Sequence, residues 1–177
     1  MEALKRNHFE FFGLPVTFDI DEAALQTAFK RIQSTMHPDR FVKAGQAERR
    51  YAMQVATQAN EAFQVLRQPL SRARYLCTLN GVDVGAESNT AMPPAFLVQQ
   101  MAWRESLDEI RDAGDKQAMD ALTAQLRQQV ADIHARIADL FAQGDVEGAA
   151  LAVREWMFLD KLGAELKRVQ RQLNQGA

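Results

Sequence analysis

The chain is poor in the residues that staple, kink or colour a protein: one cysteine, five prolines and nine glycines in 177 residues, with aromatics at only 8%. The lone Cys77 excludes an internal disulfide and any thiolate cluster around a metal or an iron–sulfur centre. No run of about 18 uncharged apolar residues occurs, so the sequence predicts no membrane span. The opening Met1-Glu2-Ala3-Leu4-Lys5-Arg6 lacks an apolar core behind it, and it is not the Ser-rich, acid-poor type of a transit segment. The period-two alternation of β-branched residues that marks strands is missing as well. What is present is 47% hydrophobic residues in helical spacing, at a length that suits one domain or two small ones. The expectation is a cytoplasmic all-α protein.

The formal net charge of −2 conceals an asymmetry. Residues 1–80 carry 11 Lys+Arg against 8 Asp+Glu, a net of +3, and residues 81–177 carry 10 against 15, a net of −5. Such contrast points to two surfaces with different partners. An excess of +3 without an Arg/Lys stripe interleaved with aromatics makes no case for nucleic acid.

Along the chain, Phe9-Glu10-Phe11-Phe12 forms an apolar entry that Gly13 and Pro15 break. Asp19 or Asp21 then caps a helix whose stripe is Leu25, Ala28, Phe29, Ile32 and Met36, leaving Lys30, Arg31 and Gln33 outside. After Gly45 a second long stripe runs through Tyr51, Val55, Ala59, Ala62 or Phe63, and Leu66. The two stripes match as an antiparallel hairpin. At its tip stands His37-Pro38-Asp39: Pro38 has no N–H, ends the first helix and pushes His37 out of the α region. An imidazole and a carboxylate are thereby displayed on a short loop between rigid helices, a usual place for function. Pro69 opens a shorter helix that Gly81 stops.

Residues 81–94, with Ser88, Asn89, two glycines and Pro93-Pro94, have linker chemistry. Beyond them three helical patterns, at about 95–112, 115–142 and 145–174, predict a three-helix bundle. The last keeps no single stripe, since Val146, Ala149 and Val153 oppose Leu162, Leu166, Val169 and Leu173; a bend or a change of neighbours is expected. On the first, Phe96, Trp103, Leu107 and Ile110 share the core sector. Leu97, Val98 and Met101 fall outside it beside Glu105 and Glu109, an apolar group rimmed by carboxylates such as protein-binding surfaces show. Phe158 could join it from the last helix.

Catalysis finds little support. His8 reads as surface and His134 as a partly exposed helix residue. No nucleophile–base spacing, H-x-x-x-H metal pair or glycine-rich phosphate loop occurs. His37 with Asp39 could act as a base, but a convex loop tip offers no pocket to exclude water.

These residues resemble a known family. His37-Pro38-Asp39 between a basic helix and a second long helix is similar to the J-domain, the module through which DnaJ-type co-chaperones act on DnaK-type ATPases. Phe12-Gly13-Leu14-Pro15, His37-Pro38-Asp39-Arg40-Phe41 and Asn60 through Ala73 narrow the resemblance to the HscB family, J-type co-chaperones of iron–sulfur cluster assembly. Ala95-Phe96-Leu97, Arg104 through Ile110, and Phe158-Leu159-Asp160-Lys161-Leu162 extend it through the second half. The resemblance implies a J-domain over 1–80, a linker over 81–94 and a scaffold-binding three-helix domain over 95–177. It implies a non-enzymatic adaptor without cofactor, membrane or nucleic-acid partner. Its chaperone surface would be His37, Pro38, Asp39, Lys30, Arg31 and Arg40, facing the ATPase chaperone HscA. Leu97, Val98, Met101, Glu105, Glu109 and Phe158 would hold the cluster scaffold IscU. Arg40 stands where relatives usually carry Lys, and Ala102 where an acidic residue is expected. The four-cysteine zinc module of some eukaryotic relatives is missing, which implies a bacterial protein. Two rivals are a J-domain protein with general clients, although no Gly/Phe-rich or Cys-rich segment is present, and an enzyme using His37 and Asp39 without any partner.

Overall fold

Local capping signals decide where each helix begins and ends. A computed structural model describes residues 6–85 and 92–175, and among these the chain forms seven α-helices and no strand. The all-α expectation holds. The chain divides into two compact units, Met1–Leu76 and Cys77–Ala177, with the division inside a helix.

In the first unit, α1 (His8–Phe12) starts with a capping box. The Glu10 amide donates to the Asn7 side chain at 3.0 Å, and the Asn7 amide donates back to the Glu10 carboxylate at 3.2 Å. Gly13, at φ +71°, ends it in the left-handed region. α2 (Glu22–Thr35) is capped by Asp21, the second of the two aspartates considered, which accepts from the Ala24 amide at 2.9 Å. α3 (Gln46–Arg67) follows Gly45, whose amide donates to Glu48 at 3.2 Å. Leu25 and Ala28 of α2 pack with Val55, Ala59, Ala62, Phe63 and Leu66 of α3, all buried, as the hairpin requires. Phe29 stacks on Phe63 with ring centroids 4.0 Å apart, a pairing that contributes about 0.5–1.5 kcal/mol beyond area burial. Ile32 and Met36 are only half-buried, because they lie towards the loop end of the hairpin.

α4 (Pro69–Leu79) supplies a tie that apolar periodicity did not reveal. Arg72 is 3% exposed. Its Nε donates to the Phe18 carbonyl at 2.7 Å and its Nη1 to the Leu66 carbonyl at 2.6 Å, while the guanidinium lies over the Phe18 ring. One charge thus satisfies a carbonyl in the last turn of α3 and another in the α1–α2 connection. His8 is a correction to the surface reading. Its ring stacks on Tyr75 at 4.2 Å and its amide donates to the Tyr75 hydroxyl at 3.0 Å, because α1 packs where Tyr75 of α4 can reach it.

In the second unit, α5 (Pro94–Ala113), α6 (Lys116–Ala142) and α7 (Val146–Gln175) form the three-helix bundle. Gly114 and Gly144, at φ +67° and +75°, make the turns, and Asp115 and Asp145 accept from the Ala118 and Gly148 amides at 3.0 and 2.9 Å. Trp103, Leu107 and Ile110 face Met119, Leu122, Leu126, Ile133 and Ile137 in the core. α7 is one helix whose buried side migrates from Ala149 and Val153 through Trp156 and Leu159 to Leu162, Leu166 and Val169. Because α7 packs against both α5 and α6, its buried side changes along its length. Glu155 is buried on this helix, its carboxylate accepting from Arg136. Cys77, fully buried, has its thiol pushed up to about 11 by burial, with Arg154 opposing. The linker residues Ser88 and Asn89 lie outside the described residues.

Candidate functional site

The hairpin tip is built by the end of α2. The Met36 amide closes the helix on the Ile32 carbonyl at 2.9 Å. Pro38 disfavours the α conformation for the residue before it, and His37 sits at φ −62°, ψ 133°. A 3-10 turn, Pro38–Phe41, follows where the sequence indicated only a loop. The Asp39 amide donates to His37 Nδ1 at 3.3 Å, and an Asp39 carboxylate oxygen stands 3.5 Å from the same nitrogen. These contacts need opposite states of Nδ1, a lone pair for the amide and a proton for the carboxylate. The second ring nitrogen, Nε2, makes no hydrogen bond among the described residues and is the atom left for a partner. Both side chains are open to it, at 59% and 85% exposure.

Arg40 does more than carry charge: its Nη1 donates to the Ser34 carbonyl at 3.1 Å, tying the turn to an otherwise open carbonyl at the end of α2. Lys30 and Arg31 are exposed and have no ion pair among the described residues. Beside the tip lies a cleft of about 440 Å³ lined by Lys30, Gln33, Ser34, Met36, His37, Ala56 and Asn60. The sequence indicated a convex tip with no pocket. The cleft exists because small residues, Ser34 and Ala56, leave the space between α2 and α3 unfilled. It is wide open to solvent and does not provide the water exclusion a buried catalytic site would use. Among the described residues no group of His, Cys, Asp or Glu could hold a metal ion.

On α5, Leu97, Val98 and Met101 are 44%, 68% and 72% exposed, opposite the buried Trp103, Leu107 and Ile110. Glu105 and Glu109 stand exposed beside them, as does Ala102. Phe158 is placed differently from these three. Half-buried on α7, it receives the edge of Phe96 at 5.8 Å between centroids and the Arg104 guanidinium at 5.5 Å from its own. It forms a wall next to the patch, under Arg104. Phe96, expected in the core, is itself half-buried because it leans on Phe158 and Trp103 at the edge of the bundle. Arg104 was not singled out by the sequence; its signal was its position three residues after Met101 and seven after Leu97, on the same side of the helix.

A helical hairpin displaying His-Pro-Asp, joined to a three-helix unit with an exposed apolar face, defines a J-domain type of co-chaperone. Residues 92–167 match the family described as the HSCB C-terminal oligomerisation domain. The chain belongs to the HscB family of co-chaperones. It is 55% identical over 159 residues to the co-chaperone protein HscB homolog of Cupriavidus taiwanensis, with 90% of each chain covered. Chaperone HscB from Vibrio cholerae shares its structure with a TM-score of 0.83 at 35% identity, over 95% of this chain and 99% of that one. The human co-chaperone protein HscB does so with a TM-score of 0.85 at 26% identity, over 92% and 81%. Among the described residues no helix is long and apolar enough to cross a membrane.

Proposed function

We propose that this chain is a non-enzymatic adaptor which delivers the cluster scaffold IscU to the DnaK-type chaperone HscA and stimulates its ATPase. Membership of the HscB family supports the coarser statement, a co-chaperone role in iron–sulfur cluster assembly. In the finer reading, residues 1–80 act as the J-domain, 81–94 as linker and 95–177 as the scaffold-binding domain. His37, Pro38 and Asp39 engage HscA, with Lys30, Arg31 and Arg40 steering towards an acidic chaperone surface. Leu97, Val98, Met101, Glu105 and Glu109 hold IscU, with Phe158 as the wall behind them. The setting is the cytoplasm of a bacterium, where an ATP-driven chaperone has its nucleotide.

The observation that supports this reading is the display of His37: held by the Asp39 amide, exposed, and with Nε2 free of hydrogen bonds among the described residues. The test is ATP turnover by HscA with this protein alone, with IscU added, and with His37→Gln. Stimulation that grows with IscU and vanishes in the variant is the expected result. Stimulation indifferent to IscU would keep the J-domain and sink the adaptor, and no stimulation would sink both. Circular dichroism of His37→Gln is expected to match the parent, because the side chain is 59% exposed; an unfolded variant would make the histidine structural.

A further inference from the structure

A cleft of about 450 Å³ runs between α6 and α7, a size and a place, between helices of a bundle, that suit a small molecule. It lies on the side of α7 turned away from Phe158: at about 100° of turn per residue, position 163 is about 140° round the helix from position 158. Leu126 and Val130 of α6 and Leu159 and Leu166 of α7 line it with apolar surface. Trp156 closes one end, 7% exposed and met edge-on by His134 at 5.6 Å between centroids.

Gly163 keeps the cleft deep. It stands inside α7 without a positive φ, and a Cβ there would meet only the Leu126 side chain, at 3.4 Å. Neither backbone nor space requires glycine, which is among the least favourable residues in a helix interior. What its missing side chain leaves is the opening itself.

The charges on the rim give the cleft a direction. Gln170 reaches Asp120 at 3.4 Å and Gly163 lies against Leu126, so α6 and α7 run antiparallel. Arg127 therefore faces the stretch around Gly163, and Lys167 lies one turn further from Trp156; neither has an ion pair among the described residues. Thr123, also at the Lys167 end, has a buried hydroxyl with no hydrogen-bond partner among the described residues. Asp160 is the one carboxylate among the lining residues and stands one turn from Trp156, at the other end. From Trp156 to Lys167 is about 16 Å at the helical rise, room for an extended chain of about ten carbons at ordinary bond lengths. We propose that the α6–α7 cleft binds an unbranched aliphatic carboxylate, its tail against Trp156 and Leu159 and its head between Arg127 and Lys167.

The test is calorimetric titration of the full-length chain with decanoate and with decyltrimethylammonium, both below their micelle concentrations. The fluorescence of Trp156, isolated by Trp103→Phe, is followed alongside. Decanoate is expected to bind one to one and shift the Trp156 emission, and Gly163→Leu, which fills the cleft, to abolish both signals. Arg127→Gln with Lys167→Gln is expected to weaken decanoate about fivefold at about 50 mM salt, with circular dichroism like that of the parent. This charge pair keeps the proposal testable if Gly163→Leu does not fold. Absence of saturable decanoate binding would overturn the proposal, as would equal binding of the cationic amphiphile or an Arg127/Lys167 pair that binds like the parent. A sedimentation coefficient that changes with Gly163→Leu, without decanoate binding to the parent, would also overturn it and make the cleft a contact between copies of the chain.

Discussion

Arg72 shows how one side chain can fasten a small helical unit. Replacing it with Met keeps much of the apolar stem but removes the two bonds to the Phe18 and Leu66 carbonyls. The loss of two charge-assisted bonds in a buried setting costs about 2–4 kcal/mol. The melting temperature of the first unit, followed by circular dichroism, should fall by about 10 °C or more. His8 makes stability depend on pH. Burial holds its pKa below the ordinary 6.5, with Glu61 partly opposing. The unfolded chain then binds the proton more readily, so the His8 contribution is full above pH 6.5 and is lost as the pH falls towards the folded value. Urea midpoints should drop between pH 7.5 and 5.5, and His8→Phe, which keeps the stack on Tyr75 without a titrating group, should flatten that drop. Cys77 gives a third check. Its thiol, fully buried and with a pKa of about 11, should resist a colourimetric disulfide reagent in native buffer at pH 8 and react once denaturant is added. Rapid stoichiometric reaction in native buffer would show that the end of α4 opens readily.

At the scale of the element, helix boundaries follow short-range chemistry, and this is why they were so legible. Asp21, Asp115, Gly45, Gly114 and Pro69 stand at helix ends for reasons that involve only a few neighbouring residues. Gly114 adopts φ +67°, a region costly for any residue with a Cβ, so Gly114→Ala should destabilise the second unit by about 1 kcal/mol. Asp115→Ala should cost a similar ~1 kcal/mol through the lost bond from the Ala118 amide. Thermal melts of the two variants measure both. The cleft at the hairpin tip was not legible in this way, because it depends on which side chains of α2 and α3 fail to meet.

At the scale of the molecule, two helical units carry two surfaces of different chemistry. The tip of the first is basic, with Lys30, Arg31 and Arg40 around His37; the α5 face of the second is apolar with a carboxylate rim. If the surfaces act separately, Leu97→Ala with Met101→Ala should weaken scaffold binding severalfold while HscA stimulation without scaffold stays near that of the parent. Loss of both together would mean that the units do not divide the work.

The sequence by itself determined helices α2 to α7, the pairing of α2 with α3, the three-helix bundle and the exposed apolar patch on α5, while α1 read only as an apolar entry. Each follows from residues three or four apart on one helix, or from a cap and the turn beside it, and needs no knowledge of the partner element. Only the tertiary structure decided the burial of Arg72, the stacking of His8 on Tyr75 and the seat of Arg104 on Phe158. These join residues 54, 67 and 54 positions apart in the chain. A polar or aromatic side chain takes its role from what a distant helix brings to it, and helical periodicity carries no record of that neighbour.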